Sequence, residues 1–241
     1  MTLGFGYCRS MYERLKMWFW SDKSEEHWTV IRSIPSQYVG IGILWLFVGS
    51  ALIGMILGYA EWFLPKTPLN LTISLVVIMY CVSISKKAMI VLFAIMLMGY
   101  LAEVAGVHTG QIFGQYYYGE NLGIKVFEVP LMIGVFWGIL TMVTNQIARD
   151  WSDKRWVVSL TGAGLMVWLD LLMEQLASDY DFWHFDGGLA GIQNYIAWFA
   201  LAYGFQYLIY PYLTMKGRRV SIHLFLSQFA FFWVGYLIFR T

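Results

Sequence analysis

Residues 156–177 read WVVSLTGAGLMVWLDLLMEQLA. A stretch of this length and composition suffices to cross a bilayer, which takes about 20 mostly apolar residues. Its only ionisable side chains are two acids, Asp170 and Glu174. They are spaced i, i+4, so a helix carries both on one face. No Lys or Arg lies between Arg155 and Lys216. A membrane helix carrying two acids without a basic neighbour is costly, and it directs attention to what surrounds it.

The rest of the chain is equally apolar. Of 241 residues, 59% are hydrophobic and 13% charged, with a mean hydropathy of +0.59. A soluble domain carries about a quarter charged residues. The composition therefore predicts an all-α, polytopic membrane helix bundle. The net charge of +1 speaks against nucleic acid as a partner. Cys8 lies in the N-terminal segment and Cys81 in an apolar run, so no disulfide is expected. Residues 1–37 are charged, lack an apolar core, and do not read as a cleaved signal peptide. We read them as a cytoplasmic arm, with an amphipathic piece at MYERLKMWFW (11–20). Residues 38–241 read as one transmembrane domain.

Seven spans are expected: roughly 38–60, 69–85, 88–107, 128–148, 156–177, 191–213 and 220–239. Pro65 and Pro68 separate the first two, and Lys86 and Lys87 the next pair. Thirteen of the sixteen basic residues fall in the arm and in the 2–3, 4–5 and 6–7 turns. The positive-inside rule then puts the N-terminus in the cytoplasm and the C-terminus outside. Nine acids gather on the opposite side, together with the two longest connections, about 108–127 and 178–190. Chemistry is expected at that outer face.

Three constellations stand out there. Gly99, Glu103, Gly106 and Gly110 share a helical face in the third span, and Gly162, Met166, Asp170 and Glu174 share one in the fifth. Small residues mark close helix packing, so both faces point into the bundle. Intramembrane acids are functional candidates by default; the plainer reading is a helix-end acid reaching the headgroups. Asn194 opens the sixth span one turn before Trp198. It can hold a water or a carboxyl, or serve as a helix cap or interhelical bond. The two outer loops are denser in Tyr, Trp and Phe than an interfacial belt requires. Aromatic walls suit an apolar substrate arriving from lipid and stabilise a cationic intermediate.

Other functions lack their residues. The last span has no lysine for a Schiff base. His27, His108, His184 and His223 are scattered, unlike the clustered histidines of membrane di-iron enzymes. No phosphate-cradling or dinucleotide motif occurs. A proton-coupled transporter or lipid-binding protein would also use intramembrane acids, but no inverted repeat or pair of broken helices is visible.

The outer-face residues resemble a known family. EVAGVHTGQIFGQYYYGENLGIKVFEVPLMIGVFW (103–137), DLLMEQLASDYDFWHF (170–185) and GIQNYIAWF (191–199) are similar, in order, to three motifs of the CruF-type carotenoid hydratases. The likeness covers roughly residues 98–215. It departs at Gln175 and Gln193, where or near where members often carry Pro. The resemblance implies an integral enzyme of a bacterial or archaeal cytoplasmic membrane, without a redox cofactor or metal. Its substrate, a lycopene, γ-carotene or bisanhydrobacterioruberin type carotenoid, comes from the bilayer lipid. Water adds to a terminal 1′,2′ double bond, giving a tertiary alcohol. Other carotenoid-biosynthesis enzymes are candidate partners.

Hydrating such an alkene needs a proton donor, then capture of a tertiary cation by water. A carboxylic acid kept neutral by burial is a suitable donor. The expected catalytic set is Asp170 as donor, with Glu103 or Glu174 activating water held by Asn194. His108, Phe113, Tyr116, Tyr118, Trp183, Tyr195 and Trp198, at motif positions, are expected to bind substrate. A cyclase forming the same cation and an assembly factor for other carotenoid enzymes remain as rivals.

Overall fold

Among the described residues, seven helices of 15 to 24 residues follow one another. They are α1 (Ser36–Ile56), α2 (Thr67–Cys81), α3 (Lys86–Thr109), α4 (Leu131–Ala148), α5 (Arg155–Met173), α6 (Ile192–Ile209) and α7 (Arg218–Arg240). The computed structural model describes residues 36–82 and 84–240, so the amphipathic piece expected at 11–20 lies outside the described residues. Residues Gly40–Thr241 form one compact unit.

Among the described residues, six helical stretches are long and apolar enough to cross a membrane, α2 only together with the helical turns leading into it from Ala60. The exception is α6, as long as α4 but made more polar by Gln193, Asn194 and Gln206. The break between the first two spans differs from expectation. It falls at Leu57–Tyr59, where Gly58 takes φ +86°. A short helix, Ala60–Phe63, and a 3-10 turn, Leu64–Lys66, then lead into α2. Pro65 and Pro68 sit at helix starts instead of in a loop. A proline there loses no helical hydrogen bond and presets φ.

The central helix is α4. It is buried over 78% of its span, against 28% for α1 and α3. Gly134 and Gly138 let it approach α3, since a Cβ on either would strike Met96. Leu46, Val76, Phe93 and Trp168 point outward from other helices, as lipid-facing side chains should.

The two ends of the bundle differ in charge. At one end, Arg218 pairs with Asp150, Gln146 donates to the Lys216 carbonyl (3.1 Å), and Gly217 packs on Val82. The 2–3, 4–5 and 6–7 turns meet there. At the other end the two long loops pair as strands. β1 (Tyr116–Tyr118) runs antiparallel to β4 (Trp183–Phe185), with Tyr116 opposite Phe185 and Tyr118 opposite Trp183. Between them β2 (Lys125–Val126) and β3 (Val129–Pro130) form a tight hairpin. Its turn residues Phe127 and Glu128 both have positive φ, as a two-residue hairpin turn requires. Lys125 donates to the Tyr118 carbonyl (2.9 Å) and Glu120 (2.8 Å), tying hairpin to cap.

Candidate functional site

Glu103 is carried by the inward face of α3, with Gly99 and Gly106. A Cβ on Gly99 would strike Trp137, and one on Gly106 would strike Phe113. These glycines therefore admit two aromatic rings beside the acid. α3 ends at Thr109, and its cap, Gly110, takes φ +64°, a left-handed stop that suits glycine. The chain then turns back as β1. Strand alternation sends Tyr116 and Tyr118 inward and leaves Tyr117 57% exposed.

The result is a carboxyl surrounded by donors. Glu103 Oε2 accepts from Tyr116 Oη (2.6 Å) and Tyr118 Oη (2.8 Å). Its Oε1 accepts from Trp137 Nε1 at 2.9 Å. Burial, then the neighbouring Glu103 carboxylate, push both phenols far above the ordinary tyrosine range. They therefore stay protonated and act as donors.

Asp170 and Glu174 come from the last turn of α5 and the residue that caps it. Gly162 on the same face lets Gln206 of α6 approach closely, which brings the start of α6 against the end of α5. Asn194 Nδ2 thereby donates to Asp170 Oδ2 at 3.3 Å. Asn194 is not the helix cap; Gly191 occupies that position. Glu174 Oε1 accepts from Trp183 Nε1 at 3.0 Å. Asp170 Oδ1 is buried and has no hydrogen-bond partner.

Glu103, Asp170, Glu174 and Asn194 line one small cavity. Phe113, Tyr116, Tyr118, Trp183 and Trp198 wall it, with Ile133 and Phe185. Its space for a water is about 10 Å³, near the threshold for a single molecule. Trp198 stacks on Trp137 with ring centroids 4.0 Å apart. Among the described residues, no group of three His, Cys, Asp or Glu side chains could hold a metal ion.

Two of the expected substrate residues lie elsewhere. His108 is exposed near the end of α3, and Tyr195 is half-buried on α6. Neither lines the cavity, because each is turned around its helix from Glu103 and Asn194. Conversely, sequence reasoning passed over Trp137, Ile133 and Phe185. Trp137 was the most accessible of the three: a buried indole N–H needs an acceptor, and a buried acid one helix away needs a donor.

Behind the cavity the cap is pinned from outside. His184 bridges Ser178 Oγ and Asp181 Oδ1, each at 2.9 Å, while Asp181 Oδ2 accepts the Glu120 N–H at 2.8 Å. Tyr117 stacks on His184 at 4.9 Å. The serine–histidine–aspartate chain lies within the second loop, and the Glu120 N–H and the Tyr117 ring tie the first loop to it.

Fold and site together define a polytopic helical membrane protein with a buried carboxyl cluster under an aromatic cap at one end. The family described as carotenoid biosynthesis protein matches residues 67–240, which includes every residue of the cluster. The chain belongs to that family, and so to carotenoid biosynthesis. Neither a curated protein nor a solved structure matches it.

Proposed function

We propose that the protein is a carotenoid hydratase, adding water across the terminal 1′,2′ double bond of an acyclic end group. The observation that carries this reading is the contrast between two buried carboxyls in one cavity. Every oxygen of Glu103 already accepts a strong hydrogen bond, an arrangement suited to an acceptor-only carboxylate. Asp170 Oδ1 has no partner, so it is the oxygen on which a proton fits.

In this scheme Asp170 protonates the less substituted alkene carbon. The π electrons form the new C–H bond and leave a tertiary cation. The fixed charge of Glu103 and the faces of Trp198 and Tyr118 stabilise that cation. A water in the cavity attacks, forming the C–O bond, and gives its surplus proton to Glu174. Glu174 lies one helical turn from Asp170, so a return of the proton resets the pair. Atoms balance: alkene plus water gives a tertiary alcohol. Room for about one water beside Asn194 and three carboxyls favours hydration over internal quenching. The charge difference between the two ends supports a cytoplasmic N-terminus and a site at the outer face.

Expression in a lycopene-producing bacterium, with mass analysis of the pigments, tests this reading. A gain of one or two waters is expected. An isomer of unchanged mass would instead identify a cyclase, and unaltered pigment with proton-coupled flux in vesicles a transporter.

A further inference from the structure

A second cavity lies beside the first. Its internal space is about 230 Å³, where the first has about 10 Å³. Phe47 of α1, Phe136 of α4 and Phe232 of α7 line it, and its lining also includes the exposed Trp62. Two residues, Ile133 and Trp183, belong to the linings of both cavities. The large apolar space is thus separated from the carboxyl cluster by side chains alone.

We propose that this cavity is the binding site for the long apolar chain of a linear isoprenoid, whose last unit passes Ile133 and Trp183 to reach Asp170. The proposal rests on the hydratase reading for what happens at the chain's end, but binding is a separate matter. Continuity with the carboxyl cluster identifies the occupant. A lipid acyl chain has no group that needs a buried acid, whereas an alkene-terminated chain does. The exposed members of its lining are Ser50, Trp62, Lys66 and Leu69, and between them the chain enters from the bilayer. Ile133 and Trp183 form the wall between the two spaces, and the Trp183 indole donates to Glu174 (3.0 Å) and meets the Tyr118 and Phe182 rings, so the chain's end must slide past these two side chains. Outside the passage, Lys66 and Asn70 contribute polar groups to the lining, and Asn70 Oδ1 is buried without a partner. That oxygen can accept from a hydroxyl elsewhere on the chain.

Ala51→Trp and Ser50→Trp each place an indole in this cavity without touching the carboxyl cluster. The measurements are stoichiometric binding of lycopene to the purified full chain in nanodiscs, and turnover of lycopene and of a short isoprenoid with the same alkene terminus. Both variants should bind lycopene at least tenfold more weakly and lose its turnover while keeping turnover of the short alkene. Asp170→Asn should bind lycopene normally and turn over neither. Two correctly folded tryptophan variants that bind lycopene like the parent would overturn the proposal. So would displacement of bound lycopene by phospholipid alone. Lycopene binding without hydration of either substrate would sustain the chain site and remove the hydratase reading.

Discussion

The bundle buries two polar clusters, one at each end, and they are built on different principles. At the basic end Gln206 Nε2 donates to Thr144 Oγ1 (2.6 Å) and the Thr141 carbonyl (3.1 Å). Asn145 Nδ2 donates to Gln206 Oε1 (2.9 Å), and Arg149 Nε donates to Asn145 Oδ1 (3.1 Å). The amides are neutral, the pairs are complementary, and the network holds α4 to α6. At the acidic end three carboxyls converge without a basic partner and one oxygen is left bare. A satisfied amide network stabilises a fold. A buried carboxyl oxygen that no protein donor satisfies is costly to the fold, and its use is chemical. The carboxyls stand on α3 and α5 and the amide network on α4 and α6, with α6 also supplying Asn194, so mutations can separate the two roles.

The largest effect is expected at Asp170. Asp170→Asn keeps the shape and the Asn194 neighbour but removes the transferable proton. Loss of general-acid catalysis costs about 10²–10⁴-fold, so product in the lycopene-producing host should fall below detection. Helical circular dichroism and the thermal midpoint should stay close to the parent's. Normal hydration by this variant would remove Asp170 as donor. Glu103→Gln should also abolish most activity, because a neutral amide cannot stabilise the cation.

At the other end the expected outcome reverses. Gln206→Leu removes the donor to Thr144 Oγ1 and the side-chain acceptor of Asn145 Nδ2; Thr144 keeps the Leu140 carbonyl and Asn145 the backbone carbonyl of position 206, so the loss is that of the bonds themselves, about 0.5–1.5 kcal/mol each. The thermal midpoint should drop by several degrees, while hydration per folded molecule stays near the parent's. Equal losses of activity from Gln206→Leu and Asp170→Asn would erase the distinction between the clusters. Tyr118→Phe is intermediate: it removes one of three donors from Glu103. A turnover loss of about tenfold, with little change in binding, is expected from one charge-assisted bond of about 1.5–3 kcal/mol.

Much of this could be read from residue order. Helical phase put Glu103 with Gly99 and Gly106, and Asp170 with Gly162, and both faces are buried as expected. The charge count separated the ends that the turns and strands occupy. What stayed hidden depends on contacts distant in sequence. The pairing of Tyr116–Tyr118 with Trp183–Phe185 joins loops more than sixty residues apart, and no local signal encodes that register. The bond from Trp137 to Glu103 crosses two helices. Asp170 could be placed on an inward face, but its bare oxygen depends on where Asn194, Tyr116 and Trp137 direct their donors. Pro65 and Pro68 do not mark the break between the first two spans, which falls at Gly58, because a proline ends one helix and begins another equally well.

The smallest expected effect lies on the outer surface, at Asp181, and it probes the cap rather than either cluster. Partial burial raises this carboxyl, but the Glu120 N–H, His184 and Lys125 outweigh burial and hold it below the usual aspartate value. A depressed folded value stabilises the cap above the unfolded carboxyl pKa of about 3.9. That contribution is lost as pH falls through the lower, folded value. The side chain is 46% exposed, so solvent screening limits the contribution to on the order of 0–1 kcal/mol. Asp181→Asn should therefore lower the thermal midpoint slightly at pH 7, and the difference from the parent should shrink as pH falls through the depressed folded value. Because β1 carries both tyrosines that hold Glu103, loosening its tie to β4 should reach the site only weakly. A fall in hydration as large as that of Tyr118→Phe would mean that the cap governs Glu103 more than the helices beneath it do.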